Sequence, residues 1–278
     1  MKLPENFIYS QSSLQDYVNC PYRFYLRHIQ GLQWPALQTD DALLMEEHML
    51  SGARFHRLIQ QYFLGLPLER LSNIAEADPN PDIPVWWQNF HQKLSQTISS
   101  TRFPEVKLIS SITDTRLMAK FDLVSVSSDH LTIYDWKTSQ KPTTKTRLKA
   151  RLQSRVYPYL LAKEYAALAK ANEYKPEDIS MIYWQANFPD DPQVIEYSQS
   201  AFDADELYLT QLIEEINSKS EQNFIKTGNF KHCKFCNYRS LCEKGIQAGN
   251  FSELDSGFED SDLLEFNIDI DQIDEKSF

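Results

Sequence analysis

The sequence predicts an α/β domain with a helical N-terminal portion and a C-terminal cysteine cluster. Three observations carry that expectation. Helical patterns dominate the first hundred positions. Strand patterns interleaved with helical segments follow. A three-cysteine cluster then precedes a strongly acidic end.

With 278 residues and 42% hydrophobic content, the chain can bury one large core or a core plus appendages. No apolar run is long enough to span a bilayer, and MKLPENFIYSQSS lacks the apolar segment of a secretory signal, so a soluble, cytoplasmic protein is expected. The formal charge of −11 is unevenly placed: residues 251–278 hold ten acids against Lys276, which leaves −9 there and −2 on the other 250 residues. A nearly neutral body does not argue against a polyanionic partner.

In chain order, SQSS at 10–13 is a helix-capping signal, and Leu14, Tyr17 and Val18 keep helical spacing. Pro21, directly after Cys20, interrupts that helix; Phe24, Tyr25, Leu26 and Ile29 form the stripe of its second piece, which Gly31 ends before a loop at Trp34-Pro35. Residues 40–64 read as an amphipathic helix through Met45, Met49, Phe55, Leu58, Ile59 and Tyr62, with Gly52 and His56 on one face. Pro79, Pro81 and Pro84 mark a loop, 85–100 a helix and 105–112 a strand. Leu117 to Lys137 reads as an antiparallel hairpin turning at Ser127–His130; 146–171 reads as one helix bent at Pro158, 179–186 and 193–198 as strands, and 202–219 as a helix.

The hairpin is where pattern and chemistry disagree. Strict alternation sends Phe121, Leu123 and Ser125 one way and Asp122, Val124 and Val126 the other, while Ile133, Asp135 and Lys137 share a face. An inward carboxylate in an apolar strand is the kind of local inconsistency found at functional sites. Asp122 and Asp135 can meet across the pair beside Lys137, which suits a hard cation such as Mg²⁺ with a cationic helper. The pattern D-x12-D-x-K taken alone fits a solvated strand edge with an ion-paired lysine better. His56 alone likewise fits a satisfied core histidine better than a ligand. Gln153 and Tyr157, one helical turn apart, suit either a pocket wall or a buried polar network. Lys141, Lys145, Arg147, Lys149, Arg151 and Arg155 offer a phosphate-contacting surface or a solvated face.

The cysteines are the sharpest signal. Cys233, Cys236 and Cys242 form C-x2-C-x5-C, and Cys20 is the remaining thiol. Thiolates ligate zinc and iron–sulfur clusters alike; a split spanning the chain is unlike a zinc ribbon, so the spacing favours [4Fe–4S] over Zn²⁺.

Taken together, G-x3-H (Gly52, His56), Asp122, D-W-K (Asp135, Lys137), Q-x3-Y (Gln153, Tyr157), the four cysteines and the opening S-x-L-x2-Y-x2-C-P resemble the PD-(D/E)XK nuclease superfamily over residues 10–245. The nearest branch is RecB-like, as in AddB-type subunits and CRISPR-adaptation nucleases with an iron–sulfur staple. The resemblance implies a restriction-endonuclease-like core, a mixed central sheet flanked by helices. It implies a nuclease domain over 1–250, with a helical part to about 100, a core over about 101–220, and a staple from Cys20 and 233–242. It assigns metal binding to His56, Asp122 and Asp135, catalysis to Lys137 with support from Gln153 and Tyr157, and cluster ligation to Cys20, Cys233, Cys236 and Cys242. Glu105 stands where relatives often keep an acid. The usual glycine before the first metal aspartate is missing, the stretch here being Met118-Ala119-Lys120-Phe121, and no G-x4-G-K-[ST] motor motif occurs.

The implied activity is a Mg²⁺- or Mn²⁺-dependent deoxyribonuclease, exonucleolytic or directed to single strands and ends, in DNA repair or recombination, free-standing or borrowing a helicase partner, with no membrane association. The alternative is a non-catalytic DNA-binding or scaffold module. Residues 251–278 are expected to be a disordered, solubilising tail, with a DNA-mimicking cover for the 141–155 stretch as the second reading.

Overall fold

A computed structural model describes residues 3–4, 6–32, 40–98, 101–169, 173–247 and 249; the side chains of 40–46, Met45 among them, the Trp34-Pro35 loop and the acidic stretch 251–278 lie outside the described residues. Among the described residues, six strands form one mixed sheet: β1 (Ile8–Ser10), β2 (Thr101–Ile112), β3 (Thr115–Val126), β4 (Leu131–Lys137), β5 (Ile179–Gln185) and β6 (Phe188–Glu196). The order is β1-β3-β4-β5-β6, with β2 also paired to β3. β1/β3 and β4/β5 are parallel, and the other pairs antiparallel. The sequence expectation of a mixed sheet flanked by helices therefore holds.

The helices are α1 (Gln11–Asn19), α2 (Pro21–Phe24, running on as a π turn over Tyr25–Ile29), α3 (Asp40–Phe63), α4 (Leu68–Glu76), α5 (Asp82–Asn89), α6 (Lys145–Lys149), α7 (Gln153–Glu164), α8 (Gln199–Ser218) and α9 (Phe230–Lys234). One sheet face packs under α1, α7 and α8 through Leu14, Tyr17, Val156, Leu160, Leu209 and Ile213; the other packs under α3, α4 and α5 through Phe55, Ile59, Leu71, Trp86 and Trp87. Among the described residues no helix is long and apolar enough to cross a membrane.

The structure amends several sequence expectations. The N-terminal portion is not all helical, because Ile8–Ser10 pairs with Arg116–Met118; three residues are too few to show a period. Leu68–Glu76, unassigned by pattern, is a helix that buries only Leu71 and Ala75. The helix expected over 146–171 is two. It breaks between Ala150 and Leu152, where the Ser154 hydroxyl donates to the Leu148 carbonyl at 2.6 Å and both Leu148 and Leu152 are buried, while Pro158 lies inside α7. Arg155 does not join the basic surface but pairs with Asp205 at 2.6 Å.

Alternation along β3 also fails at one point. Phe121 and Val124 both join the cluster under α7, whereas Leu123 joins the one under α3. On β2, Phe103 and Val106 both lie against the α7 cluster too. The two strands turn over together without losing register, since Pro104 pairs Leu123 and Val106 pairs Phe121. Glu105, between them, has a φ of +53°, a conformation that costs a non-glycine residue about 1–3 kcal/mol.

A buried charge cluster ties α1 to the chain after Cys20. Asp16 meets Arg23 at 2.7 Å, Arg27 at 3.2 Å and His28 at 2.9 Å. Burial pushes the Asp16 carboxyl up, but Arg23, His28 and Arg27 outweigh it and hold the pKa at about 2, below the ordinary 3.8. A depressed carboxylate stabilises the fold above its unfolded pKa and stops doing so as pH falls through its folded one. About 2 kcal/mol should thus be lost between roughly pH 4 and pH 2. Asp16→Asn, which leaves the half-buried Arg23 and Arg27 without their carboxylate, should cost about 3 kcal/mol in urea unfolding at neutral pH and flatten that acid limb.

Candidate active site

The site forms where β3 and β4 part. Their pairing ends at Leu123 with Tyr134, and β4 continues alongside β5 to Lys137. In the gap, Asp122 Oδ2 accepts a hydrogen bond from the Trp136 amide at 2.8 Å, replacing the ladder bond that β3 no longer supplies. Its other oxygen lies 3.3 Å from His56 Nδ1 on α3. Gly52, one turn earlier, permits that approach, because a Cβ there would stand 3.1 Å from Thr138 Oγ1. Glu105 completes a trio in which one ligand atom each from His56, Glu105 and Asp122 lies within 4.8 Å of the others.

On the opposite side of the gap, Asp135 and Lys137 face α7. Lys137 Nζ stands 2.7 Å from Asp135 Oδ2 and donates to Gln153 Oε1 at 3.3 Å, while Gln153 Nε2 donates to Asp135 Oδ1 at 2.6 Å. Tyr157 is buried one turn further along α7 with its ring 4.9 Å from Phe121. The parallel register sets Tyr183 beside Asp135; its ring lies 5.8 Å from the lysine ammonium, and Ser154 and Gln153 bond its hydroxyl at 2.8 Å and 3.4 Å.

The structure thus gathers His56, Asp122, Asp135, Lys137, Gln153 and Tyr157 around one gap, while the four cysteines lie elsewhere. His56 and Asp122 stand with Glu105; Asp135 stands with Lys137 and Gln153, outside the trio. Glu105 was noticed only through the resemblance, and its bent backbone has no sequence signal. Tyr183 was missed because an aromatic in a buried strand resembles any core residue.

The electrostatics are those of crowded carboxylates beside an imidazole and an ammonium. Burial and the Asp122 charge raise the Glu105 pKa against the pull of Lys120, 2.8 Å away. Burial raises Asp135 to about 6, with Lys137 opposing and Asp122 adding to the rise. Burial would raise Asp122 too, but His56 and Lys137 bring it below the ordinary range. His56 goes to about 9 because Asp122, Glu105 and Asp135 overcome the effect of burial. Lys137 is likewise raised, Asp135 overcoming burial, and stays an ammonium. Asp135 Oδ2 is buried, and the Lys137 ammonium stands 2.7 Å from it. An imidazole and two carboxylates with ligand atoms within 4.8 Å of one another fit a divalent metal.

The sequence profile of the PD-(D/E)XK nuclease superfamily matches residues 8–243. The chain belongs to that superfamily. No curated protein matches it. Two solved structures resemble this PD-(D/E)XK chain. One is a predicted exonuclease from Eubacterium rectale, 12% identical over 90% of this chain and 94% of its own, with a TM-score of 0.44. The other is SSO0001, 15% identical over 87% and 88%, with a TM-score of 0.39. The superfamily supports a nuclease, hence a hydrolase that uses a divalent metal and acts on nucleic acid.

This PD-(D/E)XK chain carries a second constellation away from the gap. Cys20, Cys233, Cys236 and Cys242 line one pocket with Arg23, Lys244 and other residues. Cys20 joins α1 to α2, and its sulfur accepts the Thr227 amide at 3.5 Å; Tyr22 N donates to the Ile225 carbonyl at 3.1 Å, and Tyr238 to the Leu32 carbonyl at 2.6 Å. Residues 20–32 therefore meet residues 225–238 beside the thiols. Burial pushes Cys236 up to about 11 and raises Cys233 and Cys242. Four thiols lining one pocket beside Arg23 and Lys244 have the chemistry to hold a thiolate-bound metal group, though among the described residues no three of their sulfurs lie within 4.8 Å of one another.

Proposed function

We propose that this chain is a Mg²⁺- or Mn²⁺-dependent deoxyribonuclease of the RecB/AddB-like branch, cutting single strands or exposed ends in DNA repair or recombination. Residues 1–250 form its nuclease unit, and a helicase partner supplies unwinding where duplex is the source. The observation that carries this reading is the His56–Glu105–Asp122 trio, whose ligand atoms lie within 4.8 Å of one another, beside the buried Asp135–Lys137 pair.

Asp122 and Asp135, with His56 and Glu105 completing the set, are the residues to hold the metal. When bound, such an ion polarises the scissile phosphate and acidifies an attacking water. Lys137 stays charged because Asp135 outweighs burial, so its work is to orient that water and offset developing negative charge, not to accept a proton. Gln153 bridges Asp135 and Lys137 and fixes both side chains. Tyr157 stays a neutral phenol, since burial and the Asp135 and Asp122 charges raise its pKa well above the ordinary value. The four cysteines hold a [4Fe–4S] cluster, with zinc as the alternative occupant.

A cleavage assay with Mg²⁺ and Mn²⁺ on single- and double-stranded DNA, run beside Asp122→Asn, tests the activity. Metal-dependent cleavage that Asp122→Asn removes is expected; no cleavage of either substrate would sink the reading. Glu105→Gly separates site from scaffold. Glycine relieves the positive φ, so stability should hold or rise by about 1 kcal/mol, while cleavage falls about a hundredfold or more. Unchanged cleavage would remove Glu105 from the site.

A further inference from the structure

Tyr183 has no place in the metal set, yet its side chain is built into the pocket that holds Lys137. Paired residues of parallel strands share a sheet face, so the register of β4 with β5 puts Tyr183 beside Asp135, with Lys137 as its diagonal neighbour. The pairing of β5 with β6 is irregular between Tyr183 and Gln185, and such irregularities re-aim side chains. Tyr183 is fully buried, and the Lys137 ammonium lies over its ring at 5.8 Å, within reach of a cation–π contact.

The hydroxyl end is tied as well. Ser154 spends its proton on the Leu148 carbonyl at 2.6 Å, so its oxygen accepts from Tyr183 at 2.8 Å. The same phenolic proton faces Gln153 Oε1 at 3.4 Å, the oxygen to which Lys137 donates at 3.3 Å. Packing alone does not call for this group. Phenylalanine would fill the volume with no buried hydroxyl to satisfy, and Ser154 by itself would satisfy one. What the hydroxyl adds is a link from the break between α6 and α7, through Ser154, to the carboxamide that bridges Asp135 and Lys137. What the ring adds is a wall against the ammonium. Lysine is among the most rotamer-rich side chains, and an ammonium that must meet one water or one phosphate oxygen has to be held.

We propose that Tyr183 is a positioning residue for Lys137: its ring fixes where the ammonium sits, and its hydroxyl fixes the Gln153 carboxamide that shares that ammonium with Asp135. The proposal rests on the nuclease reading and adds to it a residue from a strand that carries none of the metal-binding groups.

The test uses the full chain with Tyr183→Phe, which keeps the ring, and Tyr183→Leu, which removes it. With Mg²⁺ and a single-stranded oligodeoxythymidylate, kcat should fall about tenfold in Tyr183→Phe and about a hundredfold in Tyr183→Leu, while KM and metal affinity by calorimetry hold. A second readout needs neither metal nor cleavage. In protein carrying ε-carbon-labelled lysine, the Lys137 signal is assigned by its loss in Lys137→Met. Its two methylene protons should be distinct in the parent, where the ring shields them unequally, remain distinct in Tyr183→Phe, and merge in Tyr183→Leu. Parental kcat in Tyr183→Phe, whatever its melting temperature, would make Tyr183 a core residue only and overturn the proposal. So would an unchanged Lys137 signal in Tyr183→Leu. Where Tyr183→Leu does not fold, the rate of Tyr183→Phe decides. Where the parent cleaves nothing, the Lys137 signal still reads the positioning, so failure of the nuclease reading remains a separate result.

Discussion

Lys137→Met should lower single-turnover cleavage at least about a thousandfold while the fold and the metal affinity survive. Methionine keeps most of the buried volume and removes the ammonium that sits 2.7 Å from Asp135 and 3.3 Å from Gln153. Asp135 then loses its counter-charge. With a pKa already near 6, it can take up a proton at neutral pH at modest cost, and a bound metal removes even that need. The fold therefore tolerates the change and the chemistry does not. Asp122→Asn is the matched control: the amide oxygen still accepts the Trp136 N–H, so the strand gap keeps its shape, but one anionic ligand is gone. Metal affinity by calorimetry should fall in Asp122→Asn and hold in Lys137→Met. A Lys137→Met protein cleaving at the parental rate would overturn the role given to the lysine.

The second large effect is expected at Cys20. It stands where α1 ends and α2 begins, while its three partners come from the last described part of the chain. Cys20→Ser should release the bound metal group and lower unfolding stability by at least about 3 kcal/mol, because ligation energy of this kind is folding energy. The loss should be local first: protease sites should open around residues 20–32 and 225–245, where Tyr22–Ile225 and Tyr238–Leu32 bonds depend on the ends meeting. Anaerobically purified parent protein should be brown, and Cys20→Ser should not. A colourless parent with stoichiometric zinc would transfer the site to zinc. A Cys20→Ser protein with parental stability and metal content would remove Cys20 from the ligand set.

The basic stretch after Lys137 illustrates how burial sorts residues that look alike in sequence. Lys141, Lys145, Arg147 and Lys149 are exposed, whereas Arg155 is anchored to Asp205 and stacks on Tyr208 at 4.8 Å. A run of cations is one feature on paper and two in space, because the break after α6 rotates Arg155 toward α8.

What the sequence determined by itself was whatever is local or chemically conspicuous. Apolar periodicity located the hairpin and the long helices, since period follows directly from backbone geometry. Charged residues in apolar strands exposed Asp122, Asp135 and Lys137, because burying such groups is costly enough to need a reason. Four thiols in a one-plus-three pattern singled out residues that line one pocket. What only the tertiary structure decided was everything that depends on distant partners: the three-residue β1, the split at Ala150–Leu152, the joint turn-over of β2 and β3, and the bent Glu105 that it carries into the trio. Those features come from hydrogen bonds and packing between segments far apart in the chain, and pairwise geometry of that kind leaves no period along it.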